Sequence, residues 1–319
     1  MMTAENKPLL YDLWKKSCSS VSLSSNENGH QDSEDSWEQN IKVLYQLGIG
    51  MEETIRFLYL NQPTYAEFES WLNQTKNVSS SAGSSEIDEN QNDVLTEADL
   101  KFWDENGYLV LRNVISRQQC IATQNAICAF LNMQAENSLT WYQSHEDKKG
   151  LMVSLVHHPT LDANRESAII RKAYQQLYRS TEIYKTIDKV SFNPPVSEHA
   201  CFMGSQLHWD VSLSLPIPFA LQGLLYLTDC ESHEGAFHCV PGFHHQIEAW
   251  LNQLPAEVNP REEALRKLKS VAVVGQAGDF VIWHQALPHC ATPNLGKNPR
   301  MVQYLTYLPM KEEIQEVWK

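Results

Sequence analysis

Two side chains able to hold a metal stand one residue apart in Leu207-His208-Trp209-Asp210. On an extended segment, residues i and i+2 point to the same face. An imidazole and a carboxylate are therefore offered to one point, and Trp209 is turned to the other side. With a second histidine they would form the two-histidine, one-carboxylate set that holds iron(II) and leaves three coordination positions open. A chelating keto acid fills two of those positions and oxygen the third. By itself H-x-D is a weak signal, because chance produces it often and a histidine beside a carboxylate is more commonly structural. Downstream, His284 and His289 both stand where a third ligand could come from, and the residue types alone leave that choice open. Arg300 opens the run MVQYLTYL, whose alternation suits a barrel strand. An arginine entering a barrel needs an anionic partner, because an unpaired buried charge is very costly. The partner is either a protein carboxylate or the distal carboxylate of a bound keto acid such as 2-oxoglutarate, which a guanidinium grips with two prongs.

The elements that must position these groups change character along the chain. Residues 77–95 are rich in Ser, Gly, Asn and acid and read as a polar linker. They separate a region at 1–76, read as a small helical accessory region, from a main domain at 96–319. Up to Asp93 there are fifteen acids and six bases, a net of −9 that leaves −5 of the total −14 for the rest. A second polar stretch, residues 19–36, lies within the first region. Helical patterns cover residues 37–47, 51–60 and 65–72, and Leu44, Leu47, Ile55, Phe57, Leu58 and Leu60 are expected to share a small core.

In the main domain, Thr96 to Asp99 starts a helix that should stop at Asn106-Gly107, and residues 108–111 form a short strand. Ser116 to Gln119 is a capping box, followed by an apolar stripe of Ile121, Ile127, Cys128 and Leu131. A helix is expected over residues 166–187, with Ile169, Ile170, Tyr174, Leu177 and Tyr178 on one side. After residue 188, short apolar runs at 190–192, 221–227, 236–240, 271–274, 280–283 and 301–308 read as strands, interrupted by one helical insertion at 245–269. Asn259-Pro260 starts a second helix inside that insertion. Helices first and strands afterwards predict an α+β chain with a mainly β core, a barrel or sandwich braced by helices.

Several elements in order resemble the phytanoyl-CoA dioxygenase family, over about residues 96–310. The opening LTEADLKFWDENGYLVLRNVIS is similar to the family's first helix and strand. His208-Trp209-Asp210 matches its H-x-D, and the segment from Gly235 to Pro241-Gly242-Phe243-His244 matches its glycine-to-P-G-x-H stretch. Gly278-Asp279, His289, Asn294 and Arg300 match its closing motif, with eleven residues from the distal histidine to the arginine. The resemblance implies a double-stranded β-helix (jelly-roll, cupin-like) fold, iron(II), 2-oxoglutarate and O2 as co-substrates, and usually hydroxylation of an unactivated carbon with release of succinate and carbon dioxide. It selects His289 over His284 as the third ligand and leaves His284 as a pocket or supporting residue. It makes Arg300 the co-substrate anchor. His244 then reads as a structural turn residue.

The chain departs from the family in two places. Trp209 stands where relatives often have glutamine, and a bulky indole there would reshape the substrate pocket. Ala291 stands where relatives often have serine near the co-substrate carboxylate, which makes Thr292 the candidate for that contact. Asn193 resembles an asparagine seen before H-x-D in relatives and is a candidate co-substrate contact; equally it reads as a turn residue before Pro194-Pro195.

The expected substrate is a small molecule or an acyl group. The same iron centre could instead support desaturation, epimerisation or ring formation, or the fold could bind metal or ligand without turnover. The acidic balance argues against a nucleic-acid partner. No apolar run approaches the roughly 20 residues needed to span a bilayer, and MMTAENKPLLYDLWKK lacks the apolar core of a secretory signal. Seven cysteines, odd in number and without a C-x-x-C pair, read as reduced thiols of a cytoplasmic protein. Residues 1–76 could receive a carrier or protein partner, though nothing in their sequence specifies one.

Overall fold

The structure, a computed structural model, describes residues 6–19, 35–79, 93–198, 200–311, 315 and 317–319. Residues 20–34 of the polar stretch at 19–36 and residues 80–92 of the linker at 77–95 lie outside the described residues. The chain divides into two compact units, Met1–Ser85 with Tyr184–Ile187, and Glu86–Ile183 with Asp188–Lys319.

The first unit holds α1 (Asn6–Ser19), α2 (Asp35–Gln46), α3 (Met51–Asn61) and α4 (Tyr65–Ser79). Its core is built on Leu10, Leu13, Leu44, Leu47, Leu58, Phe68 and Leu72. Helix α1 has no counterpart among the sequence expectations, and residues 77–79 belong to α4 rather than to a linker. Leu60 is 64% exposed and outside the core. Helix α3 buries Met51, Thr54 and Leu58 at helical spacing, and a residue two positions past Leu58 falls on the opposite face.

From residue 97 the elements run α5 (Glu97–Asn106), β1 (Tyr108–Leu111), α6 (Arg117–Phe130), β2 (Lys148–Lys149), β3 (Met152–Val153), α7 (Pro159–Arg165) and α8 (Ala168–Tyr178). They continue with β4 (Ile183–Lys185), β5 (Val190–Asn193), β6 (Leu221–Tyr226), β7 (Phe237–Cys239), α9 (Ile247–Gln253) and α10 (Pro260–Lys267). The last are β8 (Val271–Val273), β9 (Phe280–His284), β10 (His289–Cys290), β11 (Arg300–Tyr304) and β12 (Tyr307–Pro309).

Local chemistry sets the boundaries. The Thr96 hydroxyl accepts from the Asp99 N–H, the Asp99 carboxylate accepts from the Thr96 N–H, and Gly107 ends α5 at φ +73°. Ser116 and Gln119 cap α6 in the same reciprocal way. In α6, Cys120, Thr123 and Ile127 are buried, whereas Ile121 is 49% exposed because it sits one position off that stripe. The helix expected at 166–187 is shorter: α8 stops at Tyr178, where Arg179 takes a left-handed φ of 52°.

Strands β1-β9-β6-β11-β5-β3-β2 form one antiparallel sheet and β10-β7-β8 a second. Alternation divides the large sheet into two faces. Phe192, Leu225, Phe280, Ile282 and Met301 pack with Ile127 of α6 and Tyr174 of α8. Leu224, Tyr226, Val281, Trp283 and Val302 face Phe237, Cys239 and Val273 of the small sheet. The Tyr226 hydroxyl ties the two sheets together, donating to the Val273 carbonyl at 2.7 Å and accepting from the Phe237 N–H at 2.9 Å. This is a double-stranded β-helix braced by helices. All seven cysteines are free thiols. Among the described residues, no helix is long and apolar enough to cross a membrane.

Candidate active site

The segment holding His208 pairs with β10. His208 and His289 exchange both backbone hydrogen bonds, each at 2.9 Å. Residues directly opposite in an antiparallel pair share a face, so the two imidazoles stand side by side with ring centroids 4.6 Å apart. Asp210, two residues on, falls on the same face. Its Oδ1 lies 3.4 Å from His208 Nε2 and its Oδ2 lies 3.2 Å from His289 Nε2. One ligand atom from each of the three lies within 4.8 Å of the others.

Both histidines are oriented by their own backbone. His208 Nδ1 donates to the Gln206 carbonyl at 2.7 Å and His289 Nδ1 to the Leu287 carbonyl at 3.2 Å. Those bonds put a hydrogen on each Nδ1 and aim both Nε2 atoms at Asp210, so that a metal bound there would meet Nε2 and not Nδ1. His289 is 6% exposed and packs against the rings of Phe237 and Trp283. The Asp210 side chain is 51% exposed, so the cluster is open on one side. Burial raises the Asp210 carboxyl, but hydrogen bonds from His208, His289 and Gln222 outweigh it and hold the group well below the usual carboxylate range.

The helical insertion between β7 and β8 holds this segment in place. From α10, Arg261 Nη1 donates to the Trp209 carbonyl at 2.8 Å and Nη2 to the Val211 carbonyl at 2.9 Å, one on each side of Asp210. Trp209 packs against Phe243 and against Trp250 of α9, and its Nε1 donates to the Ala286 carbonyl at 2.9 Å. At 2% exposure it is a core residue and not part of a substrate pocket wall. The i+1 position faces away from the cluster, and the insertion covers it. His284 is likewise displaced from the expected pocket. Its neighbour Trp283 faces inward, so strand alternation sends His284 outward, against Trp103, Phe219 and His244. Its Nδ1 accepts from the Ala286 N–H at 3.0 Å, and burial, reinforced by His244 and His245, pushes its pKa down to about 3.

Other histidines have structural partners. His244 Nε2 donates to the Asp104 carbonyl at 3.1 Å, which fastens the P-G-x-H turn to α5. His158 caps α7, and His157 lies 4.0 Å from Asp162.

Arg300 lies opposite Asn193 in the pairing of β11 with β5. It is 2% exposed. Its Nη1 reaches Ser191 Oγ at 3.4 Å, its guanidinium lies 5.6 Å from the centre of the Tyr226 ring, and its Nε has no hydrogen-bond partner. No carboxylate pairs with it among the described residues. A buried guanidinium in that state fits an anionic ligand. Asn193 Nδ2 donates to the Thr292 carbonyl at 3.2 Å, and the Thr292 hydroxyl donates to the Ala236 carbonyl at 3.1 Å. In this arrangement the Thr292 hydroxyl has no hydrogen left for a carboxylate. Gly235, at φ +77°, makes the close approach possible: a Cβ there would collide with Asn193 Nδ2. Asn193 also borders a cavity of about 250 Å³ lined by Trp141, Tyr142, Lys148, Leu151 and Phe202 among others.

Two imidazole nitrogens and one carboxylate, with an open side, suit iron(II) of the two-histidine, one-carboxylate kind. The orphaned Arg300 suits the keto acid. Fold and site together define the class of iron- and 2-oxoglutarate-dependent oxygenases. Residues 103–302 match the family described as phytanoyl-CoA dioxygenase, and the chain belongs to that family. It is thereby a 2-oxoglutarate-dependent dioxygenase using iron(II), 2-oxoglutarate and oxygen. A Dictyostelium discoideum protein described as "Putative phytanoyl-CoA dioxygenase" is 22% identical over 268 residues, spanning 66% of this chain and 74% of that protein. Two solved structures share the fold. One is the non-heme alpha ketoglutarate dependent carbocyclase SnoK from nogalamycin biosynthesis, at 19% identity and TM-score 0.50 over 72% of this chain and 88% of that one. The other is AviO1 from Streptomyces viridochromogenes Tue57, at 15% identity and TM-score 0.51 over 70% of this chain and 99% of that one.

Proposed function

We propose that His208, Asp210 and His289 hold the iron, that Arg300 binds the distal carboxylate of 2-oxoglutarate, and that the chain hydroxylates an unactivated carbon of a small-molecule or acyl substrate. The observation that carries this reading is the convergence of two backbone-oriented Nε2 atoms on the Asp210 carboxylate. Bound iron(II), with 2-oxoglutarate and oxygen, supplies an oxidant able to insert oxygen into a C–H bond, the keto acid leaving as succinate and carbon dioxide. The protein's own residues bind and orient. The Arg261 clamp fixes the backbone on both sides of Asp210. Phe237 and Trp283 wall His289 off from water. Arg300 offers a pre-formed, desolvated charge to the co-substrate, and Asn193 lines the space beside it.

The reading is tested by incubating the full chain with iron(II), 2-oxoglutarate, oxygen and a panel of acyl and small-molecule substrates. Succinate should form, together with a product that gains one oxygen atom. A product that loses two hydrogens, or is isomeric with the substrate, assigns desaturation or epimerisation to the same centre. Absence of succinate in every case, coupled or uncoupled, overturns the reading.

A further inference from the structure

Strand β6 carries a polar residue at one end of an apolar face. Leu221 and Leu225 pack toward the helices, whereas Leu224 and Tyr226 face inward. By alternation Gln222 shares the inward face and stands directly opposite Trp283 in the pairing of β6 with β9. An amide on such a face is costly unless it is hydrogen-bonded. Gln222 uses both ends: its Oε1 accepts from Trp283 Nε1 at 2.8 Å, and its Nε2 donates to Asp210 Oδ2 at 2.8 Å.

The chemistry of the two partners fixes which way the amide points. An indole nitrogen can only donate and an ionised carboxylate can only accept. Turning the amide over would set N–H against N–H and carbonyl against carboxylate. Trp283 is itself buried, 3% exposed, with ring centroids 4.4 Å from Phe237 and 5.2 Å from His289. A directed chain therefore runs from the β9 indole through the β6 amide to the carboxylate of the H-x-D segment.

We propose that Gln222 is a positioning residue for the metal centre. It engages one oxygen of Asp210, which leaves the other for iron and keeps the carboxylate from turning to offer both. A carboxylate offering both oxygens would occupy a position that the co-substrate or oxygen needs. Trp283 acts through Gln222 by setting its orientation. The proposal rests on the reading of His208, Asp210 and His289 as iron ligands. Partners of this kind around a ligating group are worth about 10–100-fold in metal affinity.

The test is anaerobic iron(II) titration of the full chain, with urea unfolding as a check that each variant is folded. Gln222→Leu should weaken iron binding about 10–100-fold. Gln222→Met should weaken it as well, because a thioether of similar length cannot donate to Asp210; this variant also serves if Gln222→Leu does not fold. Trp283→Phe should weaken it less, and the double variant Gln222→Leu/Trp283→Phe should be no weaker than Gln222→Leu alone. Asp210→Ala separates the two layers. If it binds iron as the parent does, the ligand reading fails. If it loses iron while both Gln222 variants bind as the parent does, the ligand reading stands and the positioning role is overturned. Additive losses in the double variant overturn the directed chain from Trp283.

Discussion

Replacing Arg300 by methionine should leave the protein at least as stable as the parent and abolish its response to 2-oxoglutarate. The guanidinium is 2% exposed, with one long hydrogen bond to Ser191, the Tyr226 ring 5.6 Å away, and an unpartnered Nε. An uncompensated buried charge costs several kcal/mol. Methionine gives up one weak hydrogen bond and one cation–π interaction, which amount to about 1–2 kcal/mol together. Without co-substrate the variant should equal the parent or exceed it by up to about 3 kcal/mol, which for a unit of this size is a rise of up to roughly 12 °C in Tm. At a hundredfold excess over Kd, 2-oxoglutarate should stabilise the parent by about 2.7 kcal/mol. That is a rise of roughly 5–11 °C, absent in the variant. Thermal unfolding of both proteins with iron(II) under nitrogen, with and without 2-oxoglutarate, reads both effects. If the variant is instead destabilised by about 3–5 kcal/mol and still responds to 2-oxoglutarate, Arg300 serves a protein partner and the co-substrate assignment is wrong.

Three further outcomes follow from the same geometry. His284, held near a pKa of 3 against an ordinary 6.5, is neutral in the folded state. The unfolded chain therefore binds more protons between those values, and stability should fall as pH drops from about 6.5 toward 3. His284→Phe should lose about 1 kcal/mol at neutral pH with the Ala286 hydrogen bond, yet show a flatter dependence of its urea midpoint on pH across that window. Trp209→Ala should cost about 3–5 kcal/mol by emptying the space beside Phe243 and Trp250. Trp209→Phe should leave KM for the substrate unchanged, and a changed substrate preference would return Trp209 to the pocket wall. Gly235→Ala should lower stability by about 1–3 kcal/mol, because it combines a positive φ with a clash against Asn193, and a neutral result would show that the turn relaxes.

The strand positions and the candidate metal-binding trio were legible in the sequence to different degrees. Residues i and i+2 on an extended segment share a face, so the pairing of His208 with Asp210 needs no tertiary information. The conjunction with His289 needs it, because that histidine is brought in by a two-residue strand that pairs on one side with β7 and bridges to His208 on the other. Its spacing to Arg300 carried the signal instead. The surroundings of Trp209 and His284 were illegible because they come from distant elements: α9 for one, α5 and the P-G-x-H turn for the other. Arg261 reads in sequence only as part of a helix start after Asn259-Pro260, and nothing local reveals that its guanidinium spans the Asp210 backbone. Gln222 is similarly silent, a single amide in an apolar strand whose importance lies in what stands opposite it. Leu60 and Ile121 show the limit of periodicity, since a drift of one or two positions on a helix moves an apolar residue from core to solvent.

Iron binding itself is the most direct measurement. Dialysed anaerobically against iron(II) and 2-oxoglutarate, the full chain should retain one iron per molecule. His208→Ala, Asp210→Ala and His289→Ala should each lose it, while His284→Ala should retain it. Equal retention by all four variants, or loss on changing His284 rather than His289, would contradict the assignment of the metal centre.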